Sequence, residues 1–272
     1  MKILLCVASI PHTEKIVSCG IIVAGLTQSP ITLLHVARSK NDRENGKHIL
    51  AAAAEMLPDV AVEMRTRVGN PVKQILTEVR DGDYDMVVLR AYQEGRLKQQ
   101  LLGSVAQKVV RRVPTSILVA RRVRLDLKRI LICTGGKKVA EPVIEMGARL
   151  AKATGAQAIL LHVVDVAPRM YTGLFEVKEA LPELLQANTP IGLHLRRSIE
   201  VLEQYDVPSE MKLRHGVAAD QILLEAREGD YDLLVIGASG AAGRLKEWLL
   251  GNVTRRIVEH APRSVLVVKN EE

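Results

Sequence analysis

The sequence predicts an α/β protein made of two copies of one domain, each a parallel sheet with helices on both faces. Three observations predict it. Short apolar runs without alternation, such as Leu233–Ile236, read as strands covered on both sides. These runs alternate with segments of helical spacing, the order that yields a parallel sheet. The second half of the chain also repeats the first.

Lys2–Ala8 (KILLCVA) is a first buried strand, and His12–Leu26 carries an apolar stripe at helical spacing (Ile16, Cys19, Gly20, Val23, Ala24). Ile31–Ala37 (ITLLHVA) is the second strand, and Arg43–Met56 is a helix with an alanine-rich face. Val62–Val68 alternates, as an edge strand does. Gly69–Pro71 starts a helix over Val72–Arg80. The Asp81–Asp85 turn launches the strand Met86–Leu89. Gly95 and Gly103-Ser104 bracket an amphipathic piece. A helix then runs to Arg112, and Pro114 precedes a last strand, Ser116–Ala120.

The same elements then recur. KRILIC from Lys128 repeats Lys2–Cys6, with Cys133 on Cys6, and AILLHVV from Ala158 places His162 on His35. GNPVKQILTEVRDGDYDMVVL from Gly69 lies over GVAADQILLEAREGDYDLLVI from Gly216. The reading is a domain over 1–120, with its glycine loop degenerate, a linker over 121–127 and a domain over 128–270. Cys6 and Cys133 are 127 positions apart, while Gly69 and Gly216 are 147 apart. Copy two therefore carries about twenty extra residues, placed near 165–188 and including Met170, Tyr171, Leu174 and Phe175. An extra helix on the core is the expectation there; a ligand lid is the alternative.

From Leu233 to Thr254 a buried strand leads into Gly237, Gly240 and Gly243, and then through Gly251 and Asn252 into a helix at Val253. Glycines let the backbone come close, and a helix N-terminus offers donors to an anion. The stretch reads as a phosphate-binding loop, with a glycine-rich turn that binds nothing as the alternative. It is neither a Walker A loop nor a dinucleotide fingerprint.

Both copies, nearly the whole chain, resemble the universal stress protein domain. The L-L-H-V strand, the G-x-x-G loop, the G-[S/T]-V tail and the closing P-x-S-[VI]-L-V carry the likeness. The resemblance implies two doubly wound, five-stranded parallel sheets. It also implies that the domains pair within one chain through Ser116–Ala120 and Ser264–Val268, leaving a homodimer and a protein partner open. It implies a stress-response regulator, and some members bind ATP while others act as scaffolds. Carried onto copy two, the ligand would meet Cys133, Thr134 and Gly135 at the adenine, with Val163 lining the base. Ile236, Gly237 and Gly240 would follow at the ribose and phosphates, and Gly251, Asn252 and Val253 would supply N–H groups. Copy one offers the weaker set Gly103, Ser104 and Val105, with Arg90 and Gln93 where the first two glycines belong. The adenine-side aspartate of the family is Gly135 here and Ala8 in copy one. The expected ligand is ATP, with AMP or ADP as alternatives and magnesium only alongside a nucleotide. A nucleotide-free scaffold is the competing reading.

The remaining features narrow the class. At 272 residues, with 47% hydrophobic and 25% charged residues, the chain has room for two ordinary globular domains. No apolar run reaches bilayer length, so no membrane partner is expected. Cys6, Cys19 and Cys133 form neither a disulfide framework nor a zinc motif, which fits the cytoplasm. Net charge is +7, and the basic stretch Arg111, Arg112, Arg121, Arg122, Arg124, Lys128 and Arg129 reads as solvated surface and linker. Aromatics are only 3%, with Trp248 and Phe175 single, so a stacking platform for nucleic acid is missing. His35 and His162 read as satisfied core histidines on separate sheets, and His215 as a loop histidine near the ligand edge. No nucleophile elbow, metal motif or acid–base pair appears, so no catalytic residue is assigned. Any ATP hydrolysis would be slow.

Overall fold

The computed structural model describes residues 1–9, 13–26, 30–91, 102–122, 124, 126–135, 140–164, 180–238 and 251–269. Half one contains β1 (Ile3–Cys6), α1 (Thr13–Ala24), β2 (Ile31–Ala37), α2 (Arg43–Glu55), β3 (Val62–Val68), α3 (Pro71–Gly82), β4 (Met86–Arg90), α4 (Ser104–Arg112) and β5 (Ser116–Ala120). Half two contains β6 (Arg129–Thr134), α5 (Glu141–Thr154), β7 (Gln157–Val164), α6 (Leu181–Gln186), α7 (Pro190–Gln204), β8 (Ser209–His215), α8 (Ala218–Glu228), β9 (Leu233–Gly237), α9 (Asn252–His260) and β10 (Ser264–Val268).

The strands form one ten-stranded sheet in the order β3-β2-β1-β4-β5-β10-β9-β6-β7-β8. Within each half the neighbours are parallel; β5 and β10 join the halves antiparallel. His35 and His162 therefore lie on one continuous sheet, a correction to the expectation of separate ones. The β5–β10 register is symmetric about Leu118 and Leu266, so a pseudo-twofold axis passes between them. One buried layer packs α1, α2, α5 and α7 against the sheet, and the other packs α3, α4, α8 and α9. Each layer crosses both halves.

Local chemistry sets the boundaries. Asn70 caps α3 by accepting from the Lys73 N–H, with Pro71 at the first turn, and Thr189 caps α7 by accepting from the Gly192 N–H. Gly69 and Gly216 turn the chain from edge strand to helix at φ of +127° and +135°, where a side chain would be strained. In the inserted region, α6 packs on α7 and buries Leu184, as an extra helix would; 165–179 lie outside the described residues.

The symmetric join carries a symmetric latch. Arg121, just past β5, donates to the Ala261, Val258 and Glu259 carbonyls at the C-terminal end of α9, at 2.5, 2.6 and 3.3 Å. Lys269, just past β10, donates from Nζ to the Val113 and Val110 carbonyls at the C-terminal end of α4. Each half thus supplies a buried cation to the orphan carbonyls and negative dipole end of the other half's helix. Arg121, read as solvated surface and linker, is 2% exposed, and Leu127 at the end of the expected linker is 4% exposed. The guanidinium's three carbonyl partners make that burial tolerable.

Candidate functional site

The expected ligand edge lies at the carboxyl ends of β6, β7 and β9. Register places Thr134 beside His162, so Gly135 comes next to Val163. On the other side β6 pairs β9 as far as Ile132 and Val235, bringing Thr134 level with Gly237. The N-terminus of α9 is fixed to this edge by Thr254, whose hydroxyl donates to the Gly237 carbonyl at 2.8 Å. The cap residue of α9 is Gly251, which has no side chain to accept the first-turn N–H groups. Asn252 is exposed, and Val253 and Val163 are half-buried against the same layer. Thr134, Gly135, Val163, Gly237, Gly251, Asn252 and Val253 are therefore gathered at one rim. Ile236 is there through its backbone only, its side chain being buried. Gly240, Gly243, Gln93, Gly95, Lys98, Lys246 and Trp248 lie outside the described residues.

The two glycines at the strand ends differ in what they leave room for. A Cβ at Gly237 would stand 3.2 Å from Val143 Cγ2 of α5, a packing reason for glycine. A Cβ at Gly135 would meet no described atom within 4 Å. In half one, Arg90 occupies the position of Gly237. Gly103 caps α4 without a side chain, its N–H donating to the Ala91 carbonyl at 2.6 Å, and Ser104 is exposed.

Sequence reading missed a histidine. His194 on α7 hydrogen-bonds through Nε2 to the Thr134 hydroxyl. His162 Nδ1 donates to the Thr134 carbonyl at 3.2 Å, and the two rings lie 6.4 Å apart. Burial pushes both imidazoles below their usual pKa, and His162 lowers His194 further. The Thr134 side chain is thus turned toward α7, away from α9. Half one keeps only the counterpart of the His162 contact, His35 Nδ1 donating to the Val7 carbonyl at 2.9 Å. The repeat did hold a signal: α7 takes the place of α2, and Gly192-Leu193-His194 lies over Gly46-Lys47-His48, a match the sequence reading passed over. His215 ends β8 with Nε2 buried and unpartnered among the described residues.

Two buried carboxylates were also missed, and here too the repeat held the signal. Glu225 accepts from Lys212, Arg214 and Tyr231, and Glu78 from Arg65, Arg67 and Tyr84. Burial alone would raise the Glu225 carboxyl, but the Tyr231 hydroxyl and the two cations hold it below the usual range. Burial pushes the Cys6 thiol up to about 12 and moves Cys133 the same way, which makes both inert. Asp85 and Asp232 lie at the amino ends of the strands, as expected from their turns. Asp85 accepts the Lys2 N–H, and Asp232 accepts the Lys128 and Arg129 N–H groups. Among the described residues, no helix is long and apolar enough to cross a membrane.

Known proteins place this architecture. A universal stress protein of Methanothermobacter thermautotrophicus is 31% identical over 143 residues, which span 52% of this chain and 95% of its own. The universal stress protein Slr1230 of Synechocystis is 22% identical over 239 residues, 87% of this chain and 76% of its own. The solved universal stress protein of Archaeoglobus fulgidus shares the fold, with a TM-score of 0.66 at 18% identity, covering 99% of this chain and 98% of that one. The model of the universal stress protein family matches residues 1–121 and again 126–269. Two matches in succession, on two halves joined in one sheet, make this chain a tandem member of the universal stress protein family.

Proposed function

We propose that the chain is a cytoplasmic, nucleotide-responsive regulator whose second half binds ATP or a related adenine nucleotide at the carboxyl rim of β6, β7 and β9. The observation that carries this reading is the start of α9. A glycine cap leaves first-turn N–H groups without a side-chain acceptor, and Thr254 ties that turn to the end of β9. Donors and dipole at such a start favour a phosphate. Gly240, Gly251, Asn252 and Val253 would hold the phosphates, and Thr134, Gly135 and Val163 would border the base. These residues suit the phosphate end better than the base end, because Gly135 has no acceptor for the adenine amine. Magnesium would enter only as the counter-ion of the phosphates. Binding is the activity assigned to the rim.

A nucleotide-free scaffold is the second reading, and one observation favours it: Ala8 and Gly135 stand at the two positions where the family's adenine-side aspartate is expected. Denaturing the purified protein and identifying released small molecules by mass spectrometry separates the two. An adenine nucleotide released from the wild-type chain, and lost in a folded Gly240→Val variant, supports binding. No released nucleotide, with a melting temperature unmoved by added ATP, supports the scaffold.

A further inference from the structure

On the layer carrying α3, α4, α8 and α9, the helices α4 and α9 meet over the join between the halves. Gln107 Nε2 donates to Glu259 Oε1 at 3.3 Å from one helix to the other. The repeat makes Gln107 equivalent to Arg255, and Arg111 equivalent to Glu259. The twofold mate of that polar contact is therefore Arg111 opposite Arg255, two cations where a neutral donor and a carboxylate stand on the other side. Both arginines line one crevice of about 10 Å³ together with Gln107 and Glu259. Lys108 and Arg112 are exposed beside them, and none of these four cations is ion-paired among the described residues.

Helix stability accounts for part of this charge. Arg111 and Arg112 end α4, where a cation suits the dipole. Arg255 is in the first turn of α9, where the dipole opposes it. The seam is also held rigid from below, since Arg121 and Lys269 fix the C-terminal ends of both helices. We propose that the α4–α9 seam docks an acidic segment of another protein, gripped by Arg111 from one half and Arg255 from the other. Guanidinium pairs suit carboxylates in bidentate geometry. Discrete carboxylates fit better than a polynucleotide backbone. Glu259 sits within the seam, and Asp220 beside it occupies Arg256 at 2.5 Å, so an unbroken line of phosphates would meet like charge. Among the described residues, Tyr84 and Tyr231 are buried and Tyr205 packs on the opposite layer, so none of these rings stands at the seam for base stacking. The proposal does not require a bound nucleotide.

Fluorescence anisotropy of a labelled peptide of alternating Glu and Ser, titrated with the full chain, tests it. The peptide should bind, and binding should weaken as salt rises from roughly 0.05 to 0.3 M. The double variant Arg111→Glu with Arg255→Glu, checked for folding by circular dichroism, should lose affinity by about tenfold or more. Lys40→Glu, an equally exposed charge elsewhere, should leave it unchanged. Three results would each overturn the proposal: no binding, equal losses in both variants, or tighter binding of a labelled DNA duplex of matched charge. Displacement of the peptide by saturating ATP would assign Arg255 to the rim instead, with the same consequence.

Discussion

In half one, Glu78 gathers Arg65, Arg67 and Tyr84; in half two, Glu225 gathers Lys212, Arg214 and Tyr231. The aspartates at the amino ends and the twofold latch are matched as closely. The carboxyl rims are not. Val7, Ala8 and Arg90 of half one stand where half two has Thr134, Gly135 and Gly237, and only half two brings a second histidine to its rim. Positions that hold edge strands to helices tolerate few alternatives, because a buried carboxylate needs all its donors. At the rim the two halves share strand pairing, through Arg90 and Gly237, but not side chains. The difference separates what the fold needs from what a ligand would need.

The largest expected effect tests the matched part. Glu225→Leu leaves the Tyr231 hydroxyl and two half-buried cations without their acceptor and should cost about 3 kcal/mol in urea unfolding. Glu78→Leu should cost the same within about 1 kcal/mol. A large inequality would break the equivalence of the two networks.

The latch sharpens the comparison because its two cations differ. Arg121→Met removes three carbonyl contacts at the end of α9 and should cost about 2 kcal/mol. Lys269→Met should cost less, under about 1 kcal/mol, because it also removes a charge that burial disfavours. Burial pushes the Lys269 amine down to about 8. Melting of the two variants at neutral pH checks the order; a costlier Lys269→Met would contradict it.

Acid should distinguish the rims. His162 and His194 have folded pKa values below the ordinary 6.5, so below that pH the unfolded chain takes up protons that the folded chain refuses. Their contribution to stability is complete above 6.5 and is lost as pH falls from there toward the folded values. His194→Gln should flatten the fall in melting temperature between roughly pH 6.5 and 5. An unchanged profile would remove His194 from the acid response.

Much of the fold could be read from the chain because its signals are local and doubled. Unalternating strands, the alternation of Val62–Val68 and Ser209–His215, and the glycines at Gly69 and Gly216 each appear twice. The pairing of the two last strands followed only from family resemblance, since no pattern in Ser116–Ala120 names its neighbour, and its antiparallel direction comes from the structure. Arg121 looked solvated because a basic run in sequence says nothing about a helix end 140 positions away. Glu225 of α8 and its counterpart Glu78 of α3 sit among apolar residues at matched positions, a signal that was present and passed over. At the rim, Thr134 ends its strand as read, but the direction of its side chain is set by His194, whose match to His48 in the repeat was passed over. Gly237 was read for a phosphate and also serves the approach of α5.

The most direct test restores the missing carboxylate to each rim separately. Gly135 has space for it, and Ala8 is exposed. If the start of α9 grips phosphate, Gly135→Asp should raise the melting temperature gained on adding millimolar ATP by several degrees over wild type. Ala8→Asp, on the rim where Arg90 replaces the first loop glycine, should add nothing. Equal gains from the two variants, or no gain from Gly135→Asp, would contradict nucleotide binding by the second half.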